Sequence, residues 1–402
     1  MIQSFSFLTS EINTISSMLV SLTHVLALAS VGYVTFAIWQ LLKFSKRPLA
    51  DNAPTPPVTV LKPVCGLEPG LYENLLSFCE QDYPDYQVIF GVSDSNDPAL
   101  DIIHQLIRDL PDKDLEVVID SRMIGSNRKV SNLANIYGQS KHDVLVMADS
   151  DMQVGRDYLR SVIMPLQDPK VGVVTCLYSG IARDGLASVL GAAFINEWFL
   201  PSVLVALSFS KIKYCFGSTM VVRRQLLEQI GGFARLSQLL ADDYMLGKII
   251  SDAGYKVCLS NYVVGNIVYE PNIKALFRHE LRWAVTVRSV QPIGYTFSFV
   301  TYAVPMALLY AVASAFRADS VIMIGAAAML RILMHFTARY SLRLNGWAWF
   351  WLMPFRDILS FMVWAASFFS KNIHWRQHTY SLQNDGQITT TEQMKISENV
   401  IP

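Results

Sequence analysis

Long apolar stretches at both ends of the chain constrain its fold more than any other feature. The first, residues 17–42, carries no formal charge and is long enough to cross about 30 Å of hydrocarbon. The bases Lys43, Lys46 and Arg47 follow it, whereas a cleaved signal peptide carries its basic residues in front. Because such charges stay on the cytoplasmic side, the sequence predicts a transmembrane anchor over 1–46 followed by a cytoplasmic domain.

Composition agrees with residence in a membrane. The chain of 402 residues is 52% hydrophobic, which exceeds what a soluble globular protein needs. Its 33 basic and 33 acidic residues balance, so no bulk field favours a nucleic-acid partner. The five cysteines are odd in number and never in CxxC spacing, which argues against a disulfide framework or a structural zinc site.

Three further apolar stretches follow the central part of the chain, each near membrane-spanning length. They are 294–316, 321–338 and 347–369. Together they predict about three C-terminal membrane helices over 291–375. The last stretch is interrupted between Pro354 and Asp357, which favours a broken or re-entrant helix there.

One more apolar segment lies inside the central domain, between acidic motifs that must share one site. A single crossing there would place those motifs on opposite sides of the bilayer. We therefore predict an interfacial helix over 186–213, with Trp198, Lys211 and Lys213 near the headgroups. The alternative is a buried core helix that is broken at Pro201.

The residues between the membrane segments have the pattern of an α/β domain. A proline-rich polar segment, 47–57, predicts a semi-rigid linker. From 58 to 290, short β-branched runs alternate with helical stretches. The runs are VTVLK, QVIFGVSD, LEVVID, DVLVMADSD and VGVVTC. This alternation predicts a mostly parallel, Rossmann-like sheet with helices on both faces. Residues 376–402 show no core-forming pattern and are expected to form a polar tail.

Two carboxylates one residue apart, Asp149 and Asp151, follow the apolar run 145–148, where a buried strand would end. Hard oxygen ligands in this arrangement suit Mg²⁺ or Mn²⁺, which then bridges to substrate phosphates. Leaving two carboxylates at the mouth of a buried strand is costly unless a cation compensates them. An Asp-x-Asp motif also occurs by chance in solvated loops, so the motif alone is a weak signal.

Two other motifs carry chemistry. Asp242 and Asp243 precede the helical run MLGKII; they suit a helix N-terminus, and one of them can also act as a general base. Farther along, the segment 278–283 is either a juxtamembrane basic and aromatic belt or part of the site. In the second interpretation Arg282 or His279 stabilises a departing diphosphate, while Trp283 packs against sugar or acceptor.

Taken in order, these motifs resemble the signature of inverting GT-A glycosyltransferases, in particular the ceramide glucosyltransferase-like family 21. The signature residues are Asp94, Asp149-Ser150-Asp151, Asp243 and Arg282-Trp283, and the similar blocks are 62–66 with Glu68, 77–84, 91–94 and 127–133. The likeness covers 58–283 and extends to the membrane layout. Within the family, 240–247 and 196–199 look closest to the bacterial hopanoid-associated branch.

The resemblance implies a GT-A fold, a UDP-sugar donor, a divalent cation (Mn or Mg) and inverting transfer to a hydroxyl of a membrane lipid. The residues that it implies for nucleotide-sugar binding are Lys62, Glu68, Asp94, Lys129 and Asp149. Asp151 would be the main metal ligand with Asp149 beside it, and Asp243 would be the base. Where the signature has Gln or Arg this sequence has His279, with Arg278 just before it, so either residue could face the diphosphate.

Branch-level likeness favours UDP-N-acetylglucosamine and a polyhydroxylated hopanoid, and the alternative is ceramide with UDP-glucose. It implies an integral protein of a bacterial inner membrane. Two other classes remain open from the residues: a processive polysaccharide synthase, and a non-catalytic scaffold or transporter with Arg331, Arg356 and Asp357 as pathway residues. Only three apolar stretches follow the domain, which makes a wide polymer channel hard to build.

Overall fold

The computed structural model describes residues 2–46, 55–344 and 349–370, followed by three short strands. It divides into two compact units. The sheet unit comprises 47–195, 207–282 and 370–402, and the helical unit comprises 1–46, 196–206 and 283–369. Of the predicted linker, 47–57, only 55–57 fall within the described residues.

Eight strands of the sheet unit form one sheet. They are β1 Val58–Val64, β2 Tyr86–Val92, β3 Asp114–Ile119, β4 Val144–Met147, β5 Met152–Gln153, β6 Val171–Ala182, β7 Met220–Arg223 and β8 Lys256–Val268. Their order is β3-β2-β1-β4-β7-β6-β8-β5. Strands β1 to β4 pair in parallel, whereas β7 is antiparallel to both neighbours and β5 is antiparallel to β8. Strands β6 and β8 also pair in parallel, so the predicted α/β class is confirmed and the sheet is mixed, with parallel pairs among β1 to β4 and between β6 and β8.

The helices follow the sequence pattern. They are α1 Ile2–Ser45, α2 Leu71–Cys79, α3 Ala99–Asp109, α4 Arg128–Tyr137, α5 Tyr158–Ile163, α6 Gly185–Phe194, α7 Leu200–Phe209, α8 Arg224–Gln229, α9 Asp242–Asp252, α10 Ile273–Val290, α11 Pro292–Phe297, α12 Ala303–Ala313, α13 Ala318–Ser341 and α14 Met353–Ser367. Short 3₁₀ segments and one π-helical segment, Ile195–Phe199, lie among them.

The core of the sheet unit lies on both faces of the sheet, because successive strand residues point to opposite sides. In β1, Val58 and Val60 pack on one face with α2, α3 and α5. Leu61 packs on the other face with α4, α8 and α9. Both faces are therefore covered, which leaves the carboxyl ends of the parallel strands as the open edge where ligands bind in such sheets.

Three helices among the described residues are long and apolar enough to cross a membrane: Glu11–Ser45, Gly185–Phe209 and Ala318–Ser341. The predicted N-terminal anchor and the second C-terminal stretch are among them. The first C-terminal stretch is instead a helix pair, Pro292–Thr301 and Ala303–Ala313, bent by 68°. The described part of the last, from 349 onward, contains a short 3₁₀ segment and the 15-residue α14, which begins at Met353, next to the predicted interruption.

The bend in the first C-terminal stretch was not predicted, and an ion pair of the helical unit satisfies its backbone. Arg331 donates to the carbonyl of Thr301 at 2.8 Å, while the N–H of Val304 donates to Asp357 at 2.9 Å. Arg331 and Asp357 also pair directly, and both side chains are buried. An interrupted helix in an apolar environment requires such partners, so these residues have a structural role.

The segment predicted as interfacial is helical from Gly185 to Phe209, and its break is the π segment Ile195–Phe199, not Pro201. Two-thirds of the most apolar 18 residues of this helical segment are buried, as in a core helix. Its place at a membrane interface stays a prediction. Residues 376–402 were expected to form only a tail, but they contribute two strands to a small antiparallel sheet. That sheet contains β9 Asn372–Trp375, β10 His378–Leu382 and β11 Ile388–Thr390.

Candidate active site

The carboxyl edge of the parallel strands carries the predicted acidic residues. Asp149 and Asp151 follow β4, and Asp94 follows β2, two strand positions and so about 10 Å away. The exposed Asp94 side chain accepts a hydrogen bond from the N–H of Asn96 at 2.9 Å, which is a turn contact. Its predicted contact with uridine stays a prediction.

Antiparallel pairing brings a second part of the chain to the same edge. Met147 at the end of β4 lies opposite Met220 at the start of β7, so the residues just before β7 approach Asp149. Gly217 is the closest of these, and its N–H donates to Asp243 Oδ2 at 2.7 Å. A Cβ on Gly217 would lie 2.6 Å from Asp149 Oδ2 and 3.4 Å from Asp243 Oδ2. The sheet therefore gathers Asp149 and Asp243 around one glycine.

The ammonium group of a lysine lies among these carboxylates. Lys129, in the first turn of α4, places Nζ 2.6 Å from Asp149 Oδ1 and 3.6 Å from Asp242 Oδ2. Asn127 caps α4 by accepting from the N–H of Val130, and its amide also donates to Asp242 at 3.2 Å. Asn127 thus ties the N-termini of α4 and α9 together, and the partial positive charge of both favours the nearby carboxylates.

Asp243 has the properties of a base that works near neutral pH. It lies in the first turn of α9, and its second oxygen accepts from the N–H of Tyr244 at 2.7 Å. Burial and then the charge of Asp242 raise the pKa of Asp243 to about 6, against the opposing effect of Lys129. A carboxylate with such a pKa can accept a proton from a hydroxyl group more readily than an ordinary one.

Asp151 is poised to bind a cation. Asn266 on β8 donates to its Oδ2 at 2.9 Å, while Oδ1 is buried without a hydrogen-bond partner. Burial, followed by the charges of Asp149 and Glu68, raises the pKa of Asp151 to about 7. A buried carboxylate oxygen without a donor is costly unless a cation compensates it.

The two carboxylates fit a cation whose coordination is completed by waters and substrate phosphates. Among the described residues, no group of three or more His, Cys, Asp or Glu side chains is arranged to hold a metal ion. Mg²⁺ and similar ions, however, are usually held by one or two carboxylates together with waters and substrate phosphates. Asp151 and Asp149 would supply those carboxylates.

Lys62 and Glu68 support the loop that carries the two aspartates. Lys62 is fully buried in β1, donates to the backbone carbonyl of Asp149, and lies 3.7 Å from the centre of the Phe78 ring. Burial lowers its pKa to about 7 although Asp149 and Asp151 oppose this shift. Glu68 accepts from the hydroxyl of Ser150 at 3.1 Å. Their predicted contact with nucleotide stays a prediction.

The basic residues of α10 occupy different environments. Arg282 is close enough to Tyr178 to lower its pKa, although burial and the charges of Asp243, Asp151 and Asp149 raise that pKa overall. Tyr178 on β6 therefore lies near the three aspartates and Arg282. His279 Nδ1 lies 2.5 Å from Glu270 Oε1, whereas Arg278 is exposed. Which of these two faces a diphosphate stays open.

Trp283 is the first residue of α10 that belongs to the helical unit. Its predicted role stays a prediction.

Three residues of this site were missed from the sequence. Gly217 stands before a short strand, and a glycine there is a recognisable signal for close approach of two backbones. Asn266 and Tyr178 lie within long strands, where no local pattern distinguishes them from structural residues. Their neighbours are set by the pairing of β6 with β8 and of β5 with β8.

The family model described as "Glycosyl transferase family 21" matches residues 22–388. The chain belongs to this family. The predicted membership of family 21 is thereby confirmed, and the protein is a glycosyltransferase and not a non-catalytic scaffold.

Some relatives of this glycosyltransferase match most of its length, and others match about a third of it. Ceramide glucosyltransferase 3 of Caenorhabditis elegans is 23% identical over 90% of this chain and 82% of its own length. A ceramide glucosyltransferase of Komagataella phaffii is 37% identical over 33% of this chain and 26% of its own length. Among solved structures, the mannosyltransferase PcManGT from Pyrobaculum calidifontis, in complex with GDP-Man and Mn²⁺, has a TM-score of 0.51 at 20% identity, covering 87% of this chain and 98% of that chain. This last likeness confirms the glycosyltransferase fold.

Proposed function

We propose that this glycosyltransferase moves a hexose or N-acetylhexosamine from a UDP-sugar to a hydroxyl group of a membrane lipid, with inversion at the anomeric carbon. The observation that carries the proposal is the gathering of Asp149 and Asp243 around Gly217 and Lys129 at the open edge of the sheet, with Asp151 two residues from Asp149. The same chain carries helices long and apolar enough to anchor it in the membrane where a lipid acceptor resides.

The mechanism is a single displacement. The oxygen of the lipid hydroxyl attacks the anomeric carbon while Asp243 accepts the proton of that hydroxyl. In the same step the bond between the anomeric carbon and the diphosphate breaks. Arg282 and Lys129 stabilise the negative charge that the departing UDP carries. A divalent cation held by Asp151 and Asp149 would supply further positive charge at the diphosphate.

The identity of sugar and acceptor is the finer part of the proposal. Ceramide and glucose are named in the relatives, which supports a lipid acceptor. The motifs at 240–247 and 196–199 favour UDP-N-acetylglucosamine and a polyhydroxylated hopanoid, and ceramide with UDP-glucose is the alternative. We place the catalytic domain in the cytoplasm because Lys43, Lys46 and Arg47 follow the N-terminal anchor. The branch-level likeness favours a bacterial inner membrane.

The stereochemistry of the product tests the mechanism. UDP-sugars carry an α-linked sugar, so single displacement predicts a β-linked glycolipid. Proton NMR of the purified product distinguishes the two anomers by the coupling constant of the anomeric proton. A product that retains the α configuration would show that one direct attack, assisted by Asp243, is not the mechanism.

The raised pKa of Asp243 predicts how activity depends on pH. The base must be deprotonated in the free enzyme, so kcat/KM should rise with pH and level off above about pH 7, with a midpoint near 6. The profile is measured at saturating Mn²⁺, so that protonation of Asp151 does not limit cation binding. A profile that stays flat down to pH 5 would contradict the role of Asp243.

A further inference from the structure

Lys129 takes the place of a cation within the carboxylate cluster. Its Nζ contacts Asp149 at 2.6 Å and Asp242 at 3.6 Å. A Cβ on Gly217 would lie 3.2 Å from Nζ and 3.4 Å from Asp243 Oδ2, so Asp243 is also close to this ammonium group. The Lys129 side chain is only 16% exposed, so carboxylates replace most of the water around its ammonium group.

Lys129 brings a positive charge to Asp149 as its ion-pair partner. Burial alone lowers its pKa, but Asp149, Asp242 and Asp243 outweigh burial and hold the pKa above its usual range. A divalent cation that binds Asp149 would therefore meet this ammonium at the same carboxylate. Repulsion between two cations a few ångströms apart, in a partly buried site, is large compared with that between solvated charges.

We propose that Lys129 is an internal counter-ion that opposes cation binding at Asp149 until a nucleotide diphosphate draws its ammonium away. The inference rests on the proposed function, since it takes the cation and the UDP-sugar as ligands of this site. A lysine ammonium on a flexible four-carbon stem can exchange a carboxylate for phosphate oxygens. Asp149 then becomes available, beside Asp151, to the cation that accompanies the nucleotide.

The exchange makes the binding of cation and nucleotide cooperative. The diphosphate pairs with Lys129 and so frees Asp149 for the cation. The cation occupies Asp149 and so frees Lys129 for the diphosphate. Such coupling is reciprocal and is typically about 5- to 150-fold in affinity. Lys129 is in this sense a positioning residue. A purely structural lysine would instead support the carboxylates, so its removal would weaken cation binding.

Electron paramagnetic resonance of Mn²⁺ tests the proposal without catalysis. The full-length protein in detergent is titrated with Mn²⁺ alone and with Mn²⁺ plus saturating UDP. In the wild type, UDP should raise the affinity for Mn²⁺ at least about fivefold. In Lys129→Met, Mn²⁺ alone should bind at least about fivefold more tightly than in the wild type, and UDP should add a smaller increase.

Two further variants make the result decisive. Lys129→Gln removes the charge but keeps a hydrogen-bond donor for Asp149, so it should act like the methionine variant even if that variant unfolds. Lys141→Met is the matched control, because Lys141 pairs with Asp114 at 2.7 Å on the exposed surface. Its Mn²⁺ affinity should equal that of the wild type.

The outcomes separate this proposal from the proposed function. Tighter binding of Mn²⁺ alone in the folded neutral variants supports the counter-ion. If the wild type binds Mn²⁺ with UDP but the folded neutral variants bind Mn²⁺ alone no more tightly, the counter-ion is wrong and the proposed function stands. If the wild type binds no Mn²⁺ with or without UDP, the proposed cation and the counter-ion both fail.

Discussion

Replacement of Asp151 by asparagine should lower kcat/KM at least about 1,000-fold, which corresponds to about 4 kcal/mol of transition-state stabilisation. Asparagine keeps the shape of the side chain and can still meet Asn266, but it offers no negative charge to a cation. The buried Oδ1 of Asp151, which has no hydrogen-bond partner, is the oxygen whose loss matters most. Initial rates at saturating Mn²⁺ measure the effect.

The same substitution should not destabilise the fold. The pKa of Asp151 is raised to about 7 by burial, Asp149 and Glu68, so it lies above that of an aspartate in an unfolded chain. At pH 8 without cation, the ionised side chain therefore disfavours the folded state, and a neutral asparagine removes that effect. The thermal midpoint should be equal to or higher than that of the wild type. A strong decrease would show that the lost activity reflects unfolding.

Asp101→Asn is the matched control for this variant. Asp101 lies exposed in the first turn of α3, in the same unit as Asp151, and is not among the residues that form the site. Its replacement makes the same chemical change without touching the site. Activity should stay within about twofold, as for most surface substitutions.

Gly217→Ala should lower kcat/KM about 100-fold while the protein remains folded. The new methyl carbon would lie 2.6 Å from Asp149 Oδ2, a distance that real Cβ contacts do not show. The carboxylate at the end of a side chain is what must move, and a displacement of about 1 Å in a catalytic site costs about 100-fold in rate. The φ of Gly217 is not in the left-handed region, so alanine adds no backbone strain.

A second glycine supplies the control for Gly217→Ala. Gly138 follows α4, also has negative φ, and a Cβ there would meet nothing within 4 Å. Gly138→Ala should leave both activity and the thermal midpoint close to those of the wild type. If Gly217→Ala is as active as Gly138→Ala, the close packing of the carboxylates around Gly217 is not required for transfer.

Much of the sheet and its acidic edge could be predicted because the signals are local. Asp149 and Asp151 follow a run of buried residues, and parallel strands place such residues at one edge. The direction of β7 carries no local signal. In an all-parallel sheet Gly217 would lie at the opposite edge from Asp149, and only the antiparallel pairing of Met147 with Met220 brings the two together. Sequence reasoning therefore missed the glycine at the centre of the site.

The bend in the membrane helices likewise depends on contacts between residues that are distant in the sequence. Pro305 in this apolar run is a local signal for a kink, but it does not show how the backbone groups near Tyr302 find partners. The partners of these backbone groups, Arg331 and Asp357, are about 30 and 55 residues farther along the chain. Because these two side chains stabilise the break from a distance, the sequence of the helix itself does not reveal the contacts that allow the bend.

Mass spectrometry of lipid extracts tests the central claim most directly. Membranes that contain the enzyme are incubated with Mn²⁺ and either UDP-glucose or UDP-N-acetylglucosamine, with ceramide or a polyhydroxylated hopanoid added. We predict a lipid that has gained one hexose or one N-acetylhexosamine, absent with a chelator and absent with Asp151→Asn. If the wild type forms no glycolipid from either donor, or if Asp151→Asn forms the same glycolipid at the same rate, the account is contradicted.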